Sequence, residues 1–245
     1  MKNSGLATGF ITTVAISGIA MLGTSVLKIT ALHPYQFLCL LLLATVTSRT
    51  KVKLPGINGT MSVNLPFLLI AAAQLSLFEA VTVAMVSALL QSIPKRGGQF
   101  QPAKILFNAS TIGLAAGTAG IALHTDKLIA MQRSGSFALV VACSMFFVIN
   151  TLPVATIIAI TEGSSLVRIW SGIVHLSFPY YVACTGVTSM VTVVSNHIGW
   201  QVPLAVLPVM LLIYRCYQRY FLRATDEVKP AAPITRPLSR TAAAH

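Results

Sequence analysis

Eight apolar segments, separated by basic residues in every second gap, divide this chain between Ala7 and Tyr220. A bilayer hydrocarbon core of about 30 Å requires roughly 20 mostly apolar residues per helix. The chain is 55% hydrophobic with only 9% charged residues, whereas a soluble domain carries about 25% charged residues. The pattern therefore predicts an all-α, polytopic transmembrane helix bundle of about eight spans, with the lipid bilayer as its first partner.

Two of the predicted spans are short. Segments 34–47 and 80–93 fall below the usual spanning length, so each is either a tilted full crossing, which we expect, or a half-crossing segment. The first segment follows Lys2 and has a competing interpretation as a secretory signal, but its apolar run continues to Leu27 and favours a first span. The eight predicted spans are 7–27, 34–47, 63–77, 80–93, 105–123, 137–160, 172–194 and 202–220.

The basic residues predict the orientation, because short loops rich in Lys and Arg stay in the cytoplasm. With eight spans, only Lys28, Lys127 and Arg133 of the 17 basic residues fall on the outer side. We therefore predict that both termini are cytoplasmic. The same distribution explains the formal charge of +12 without a nucleic-acid partner, since a nucleic-acid surface would gather its cations on one folded face.

The domain organisation is simple. Residues 1–223 are predicted to form an integral membrane domain, and residues 224–245, with their prolines and few large apolar side chains, a disordered cytoplasmic tail. The four cysteines lie within or beside spans, without the spacing of a zinc ribbon or a redox CxxC, and are interpreted as packing residues. No paired acid and base, phosphate loop, HExxH or GxSxG motif is present, so we predict no enzymatic activity, no metal site and no cofactor.

Two local patterns predict how the helices begin and pack. Ser76 and Glu79 form an S-x-x-E capping box before an apolar run, which predicts a tight outer hairpin between the third and fourth spans. Gly113 and Gly117 lie one turn apart and give the fifth span a stripe with almost no side chain. We expect this stripe to face another helix of the same chain, since close backbone approach is what such a stripe permits in lipid.

Polar side chains within the spans are the candidate ligand-binding residues, because each costs free energy unless it is paired or hydrated. If they serve a ligand, Asn108 and Asn150 should point into one partly hydrated pocket. The alternatives are that Asn108 bonds a neighbouring helix, that His175 is a packing residue rather than a metal ligand, and that Pro153 produces a kink rather than a hinge or binding point. The five candidates are Asn64, Gln74, Asn108, Asn150 and His175.

The inner end of the last span carries alternating aromatic and basic residues. Tyr214, Tyr217 and Tyr220 recur every third residue, interleaved with Arg215 and Arg219. Aromatic rings prefer the headgroup zone and arginine prefers the phosphates. The pattern predicts that this helix is fixed at the membrane interface at its cytoplasmic end.

Short motifs in a fixed order extend from residue 51 to residue 223. They are Leu54-Pro55-Gly56, Glu79-Ala80, Leu106-Phe107-Asn108, Ser177-Phe178-Pro179-Tyr180-Tyr181, and Leu207-Pro208 followed by Tyr214-Arg215-x-Tyr217. In these motifs the chain resembles the multi-helix, MASE-like membrane module found N-terminal to HD-GYP or GGDEF domains in bacterial cyclic-di-GMP signalling proteins. The resemblance implies a sensory, signal-input module of the bacterial inner membrane whose last helix leads to a cytoplasmic output domain. Because a short tail follows Arg223 here, we expect such a module to act through a separate cytoplasmic signalling enzyme or a membrane partner.

A second interpretation is a small-molecule binding or transport component of the vitamin-uptake type. Val63-Asn64-Leu65-Pro66 is weakly echoed by Ile149-Asn150-Thr151-Leu152-Pro153, and many transporters are built from repeated halves with broken helices. A transport component should enclose its ligand near Asn64, Asn108 and Asn150, whereas a sensory module should bind a signalling enzyme and move no solute. A structural scaffold without a ligand is the third class.

Overall fold

Eight helices and a pair of short β-strands make up the part of the chain that the computed structural model describes, which is residues 4–27, 29, 32–53, 60–94, 101–125 and 136–227. Each predicted apolar segment carries one helix, so the all-α class is confirmed. β1 (Lys51–Lys53) and β2 (Thr60–Ser62) pair antiparallel between the second and third helices. The helices are α1 (Ser4–Val26), α2 (Pro34–Ser48), α3 (Leu65–Gln74), α4 (Leu77–Ser92), α5 (Pro102–Leu123), α6 (Ser136–Glu162), α7 (Leu166–Ile198) and α8 (Val202–Glu227).

Four of the described helices are long and apolar enough to cross a membrane, judged by length and composition alone. They are α1, α5, α6 and α7. The helices α2, α3 and α4 are shorter, as is the apolar part of α8, Val202–Cys216. The chain is therefore a multi-helix membrane protein, but the prediction of about eight full crossings is not confirmed.

The helix α3 lies at the centre of the bundle and is too short to cross the bilayer core by itself. Its 10 residues rise about 15 Å, half of a typical hydrocarbon thickness, so the full span predicted at 63–77 is not confirmed. The helix contacts α2, α4, α5 and α7, and the side chains of Phe67, Leu69 and Ile70 are completely buried. Because protein surrounds this helix on all sides, its ends do not have to reach the edge of the lipid.

Contacts along α5 define the directions of its neighbours. The ring of Phe10 on α1 lies 6.2 Å from that of Phe107 on α5, and further along both helices Met21 lies against Gly117. The helices α1 and α5 therefore run in the same direction, which requires an odd number of crossings between the end of α1 and the start of α5. The helix α4 runs antiparallel to α5.

The glycines of α5 face other helices of the same chain, as predicted. A Cβ on Gly113 would lie 2.6 Å from the Cγ of Met85 on α4, and one on Gly117 would lie 2.7 Å from the Cγ of Met21 on α1. A third glycine, Gly18 on α1, approaches α5 more closely still. Its Cβ would lie 2.4 Å from the Cβ and 2.7 Å from the Cα of Ser110, so the backbones of α1 and α5 meet at this point.

The last helix, α8, packs against α7, α2 and β1. It extends to Glu227, past the predicted end of the membrane domain at Arg223. The rest of the predicted tail, residues 228–245, lies outside the described residues. The boundary between membrane domain and tail stays a prediction.

Candidate functional site

The turn between α3 and α4 is built around a buried carboxylate. Ser76 is the N-cap of α4, and its hydroxyl accepts a hydrogen bond of 3.4 Å from the backbone N–H of Glu79. In return, Oε2 of Glu79 accepts from the backbone N–H of Ser76 at 3.1 Å and from its hydroxyl at 2.8 Å. The predicted capping box is confirmed, and it allows α4 to start after a connection of only two residues.

The same carboxylate ties this turn to the start of α2. Glu79 is only 2% exposed, and its Oε1 accepts from the backbone N–H of His33 at 2.8 Å. The half-exposed imidazole of His33 lies 3.8 Å from Oε2. A second link joins the same elements, since Nε2 of Gln36 donates to Oε1 of Gln74 at 2.7 Å.

We refer to His33, Gln36, Gln74, Ser76 and Glu79 as the hairpin-tip cluster. A buried carboxylate is tolerated only when donors replace its lost water, and here two backbone N–H groups and a hydroxyl do so. The cluster therefore holds the turn between α3 and α4 in a fixed position against the N-terminus of α2.

A second polar contact joins α6 to α7. Nδ2 of Asn150 donates to the hydroxyl of Tyr181 at 2.7 Å. The Tyr181 ring is buried and lies edge-on to Phe147, with 4.7 Å between ring centroids. One residue further along α6, the hydroxyl of Thr151 accepts from Nε1 of Trp170 at 3.2 Å. Hydrogen bonds and aromatic contacts thus join α7 to this turn of α6.

The thiols near this contact serve packing. Cys143 is hydrogen-bonded to the side chain of Thr185 across the contact, and Cys184 is hydrogen-bonded to Tyr180 within α7. Both cysteines are buried and free. Within the described ranges, no group of three or more His, Cys, Asp or Glu residues is placed to hold a metal ion.

The structure does not bring the five predicted site residues together at one site. Four of them are amides that bond to four different partners: Asn64 donates to Ser87 at 3.5 Å, Gln74 accepts from Gln36, Asn108 donates to Ser92 at 3.3 Å, and Asn150 donates to Tyr181. His175 is exposed on α7. The interpretation of Asn108 as a bond to a neighbouring helix is confirmed. The role of the five residues in ligand binding stays a prediction.

Sequence reasoning missed the partners of these residues. His33 and Gln36 complete the hairpin-tip cluster, and Tyr181 and Trp170 complete the contact between α6 and α7. One signal was available for the first pair. The predicted topology puts the start of α2 and the turn after α3 on the same side of the membrane, where polar groups within the bundle are expected to form hydrogen bonds with one another. The sequence contains no comparable signal for Tyr181.

Comparison with known proteins identifies the family. The family model MASE9 matches residues 26–221, a range that contains both polar contacts and leaves nearly all of α1 outside it. No curated protein and no solved structure matches the chain. The resemblance to a MASE-like module is thus confirmed. The chain belongs to the MASE9 family of membrane-associated sensory domains.

Proposed function

We propose that the protein is a sensory module of the bacterial inner membrane that passes its signal through the inner end of α8 to a cytoplasmic signalling enzyme. Membership in the MASE9 family supports the sensory role. The observation that carries the output route is the length of α8. Its 26 residues correspond to about 39 Å of helix, and only the part Val202–Cys216 is an apolar segment. The rest of the helix leads away from the membrane.

The packing of α8 fits an element that moves. Val206 and Met210 are buried on one face, whereas Leu204, Val209 and Leu212 are exposed. A helix held along one narrow face can shift without opening the core, because regions with few buried contacts have low local stability. Beyond the apolar part, Arg215 and Arg219 are exposed and offer charge to an aqueous partner. In this proposal the catalytic activity belongs to that partner and the membrane module itself is not an enzyme.

We further propose that both termini are cytoplasmic. The hairpin of α3 and α4 begins and ends on the same side of the membrane, whether or not its helices cross the membrane fully. The positions of the basic residues therefore predict the same orientation for a full crossing and for a half-crossing hairpin. Single cysteines at Gln99 and Val228 should react with a membrane-impermeant reagent from the cytoplasmic side only. A cysteine replacing Arg133 is the control and should react from the outer side. Outer labelling of Gln99 or Val228 would overturn this orientation.

The proposed function is tested in cells. Deleting the gene should change the cyclic-di-GMP concentration, and the wild-type chain should restore it. The variant R215E/R219E should not restore it, although it should reach the membrane in the same amount, because charge reversal at the inner end of α8 acts on the partner contact and not on the buried core. An unchanged concentration in all strains, with solute uptake lost in the deletion strain, would favour the transport alternative.

A further inference from the structure

Prolines interrupt α6 and α7 within about one helical turn of each other in depth. Pro153 lies within α6 and Pro179 within α7. Two contacts fix the register of this antiparallel pair: Cys143 with Thr185, and one turn further along α6, Phe147 with Tyr181. Continuing that register, Ile149 lies beside Pro179 and Pro153 lies beside His175.

Each proline weakens the helical turn that precedes it. Proline has no N–H, so the carbonyls of Ile149 and His175 lose their α-helical donors. The two weakened turns, 149–153 and 175–179, therefore lie side by side. A single weakened turn produces a kink in one helix, whereas two weakened turns side by side allow both helices to bend together without disturbing their intact turns.

The chain beyond these turns forms a weakly packed unit. The end of α6 and the start of α7 are joined by a short connection at Gly163, whose φ is 66°. We call residues 154–174 the inner arm. Within it only Ala155 and Ile173 are buried, and every residue from 161 to 168 is exposed. Few apolar contacts therefore hold the inner arm against the rest of the bundle.

Side chains at the level of the weakened turns join α6 to α7. The hydrogen bond from Asn150 to Tyr181 lies at this level, and Phe147 packs edge-on against the rings of Tyr181 and Phe178. The bond from Trp170 to Thr151 reaches from the inner arm back to the same turn of α6. The first two contacts hold the weakened turns against each other, and the bond of Trp170 ties the inner arm to them.

We propose that the turns 149–153 and 175–179 form one hinge, locked by the hydrogen bond between Asn150 and Tyr181, and that opening it reorients the inner arm. The inference rests on the proposed sensory function only in assigning this motion to signalling. The inner arm carries Arg168 and lies on the side where the proposed topology puts the cytoplasm. A signal that breaks the lock would thus change the cytoplasmic surface that the module presents.

Hydrogen exchange in lipid nanodiscs, measured on the full chain by mass spectrometry, tests the hinge. Tyr181→Phe removes the acceptor of Asn150 and leaves the ring in place. Amides of the inner arm should then exchange roughly five-fold faster, the factor expected for one lost hydrogen bond. Amides of α5 should keep their wild-type rates.

Tyr180→Phe is the matched control, because it makes the same chemical change one residue away, where the hydroxyl is bonded within α7 to Cys184. It should leave the inner arm at its wild-type rate. Adding P153A and P179A to the Tyr181→Phe variant should restore backbone donors and return the inner arm to slow exchange. Unchanged inner-arm exchange in Tyr181→Phe, an equal rise in α5, or an equal effect of Tyr180→Phe would overturn the hinge.

The purified protein contains no partner, so this result is independent of the cellular test. A hinge that opens as expected, with no cyclic-di-GMP response in any strain, would contradict the proposed function alone. A cyclic-di-GMP response combined with unchanged exchange would contradict the hinge alone.

Discussion

Replacing Glu79 by alanine is expected to lower the free energy of unfolding by about 2–4 kcal/mol, because the change removes the glutamate half of the capping box and leaves part-buried donors without an acceptor. The donors are the backbone N–H groups of Ser76 and His33 and the hydroxyl of Ser76. The loss should be measured as a lower midpoint of thermal or denaturant unfolding in detergent.

Two control variants distinguish the contribution of the Glu79 carboxylate to stability from that of the His33 imidazole. Glu79→Gln keeps one acceptor oxygen and should cost about half as much. His33→Ala should change stability by less than about 0.5 kcal/mol, because His33 contributes its backbone N–H, which alanine retains, and its half-exposed imidazole lies 3.8 Å from the carboxylate. If His33→Ala were as harmful as Glu79→Ala, the imidazole would be the important group instead.

Replacing Gly18 by alanine is expected to destabilise the protein by about 1–3 kcal/mol, since the added methyl group overlaps atoms that cannot rotate away. Its Cβ would lie 2.4 Å from the Cβ and 2.7 Å from the Cα of Ser110, so α1 and α5 must separate. The separation should lower the melting temperature and raise protease access to α1.

The glycines of α1 and α5 provide a graded control series. Gly117→Ala meets the flexible side chain of Met21 and should cost less than Gly18→Ala. Gly23→Ala meets nothing within 4 Å and should be neutral or stabilising by up to about 1 kcal/mol, as alanine is the better helix former. Equal effects of Gly18→Ala and Gly23→Ala would mean that α1 does not pack on α5 in the membrane.

Local patterns predicted the local structure correctly. The apolar segments became helices, the S-x-x-E motif became a capping box, and the glycine stripe became a packing surface. The helices, the capping box and the stripe itself depend on residues within a few turns of one another, so the sequence contains the necessary information.

Long-range pairing was not predictable in the same way. The bond between Gln36 and Gln74 joins residues far apart in the chain, and the side-by-side position of the turns before Pro153 and Pro179 depends on the register of α6 against α7. Hydropathy also cannot distinguish a segment buried in lipid from one buried in protein, which is why α3 resembled a full span. A local stretch of sequence does not specify these features, because each depends on an element that lies far away in the chain.

The proposed internal echo illustrates the same limit. Asn64 and Pro66 lie at the start of α3, with the proline in its first turn. Asn150 and Pro153 lie in the middle of α6. The two similar sequence motifs therefore have different structural roles, because a proline is well tolerated in the first turn of a helix but weakens the interior of one.

The central position of α3 has a consequence for biogenesis. One of the helices that enclose α3 is α7, which begins about 90 residues later in the chain. At a synthesis rate of about 5–20 residues per second, roughly 5–20 s separate the emergence of the two helices from the ribosome. During that interval the protein around α3 is incomplete. The helix spans half of the bilayer thickness, its surface is apolar, and lipid cannot form hydrogen bonds with the backbone groups at its ends. Insertion of this protein therefore requires α2, α4 and α5, or the insertion machinery itself, to shelter α3 until α7 arrives.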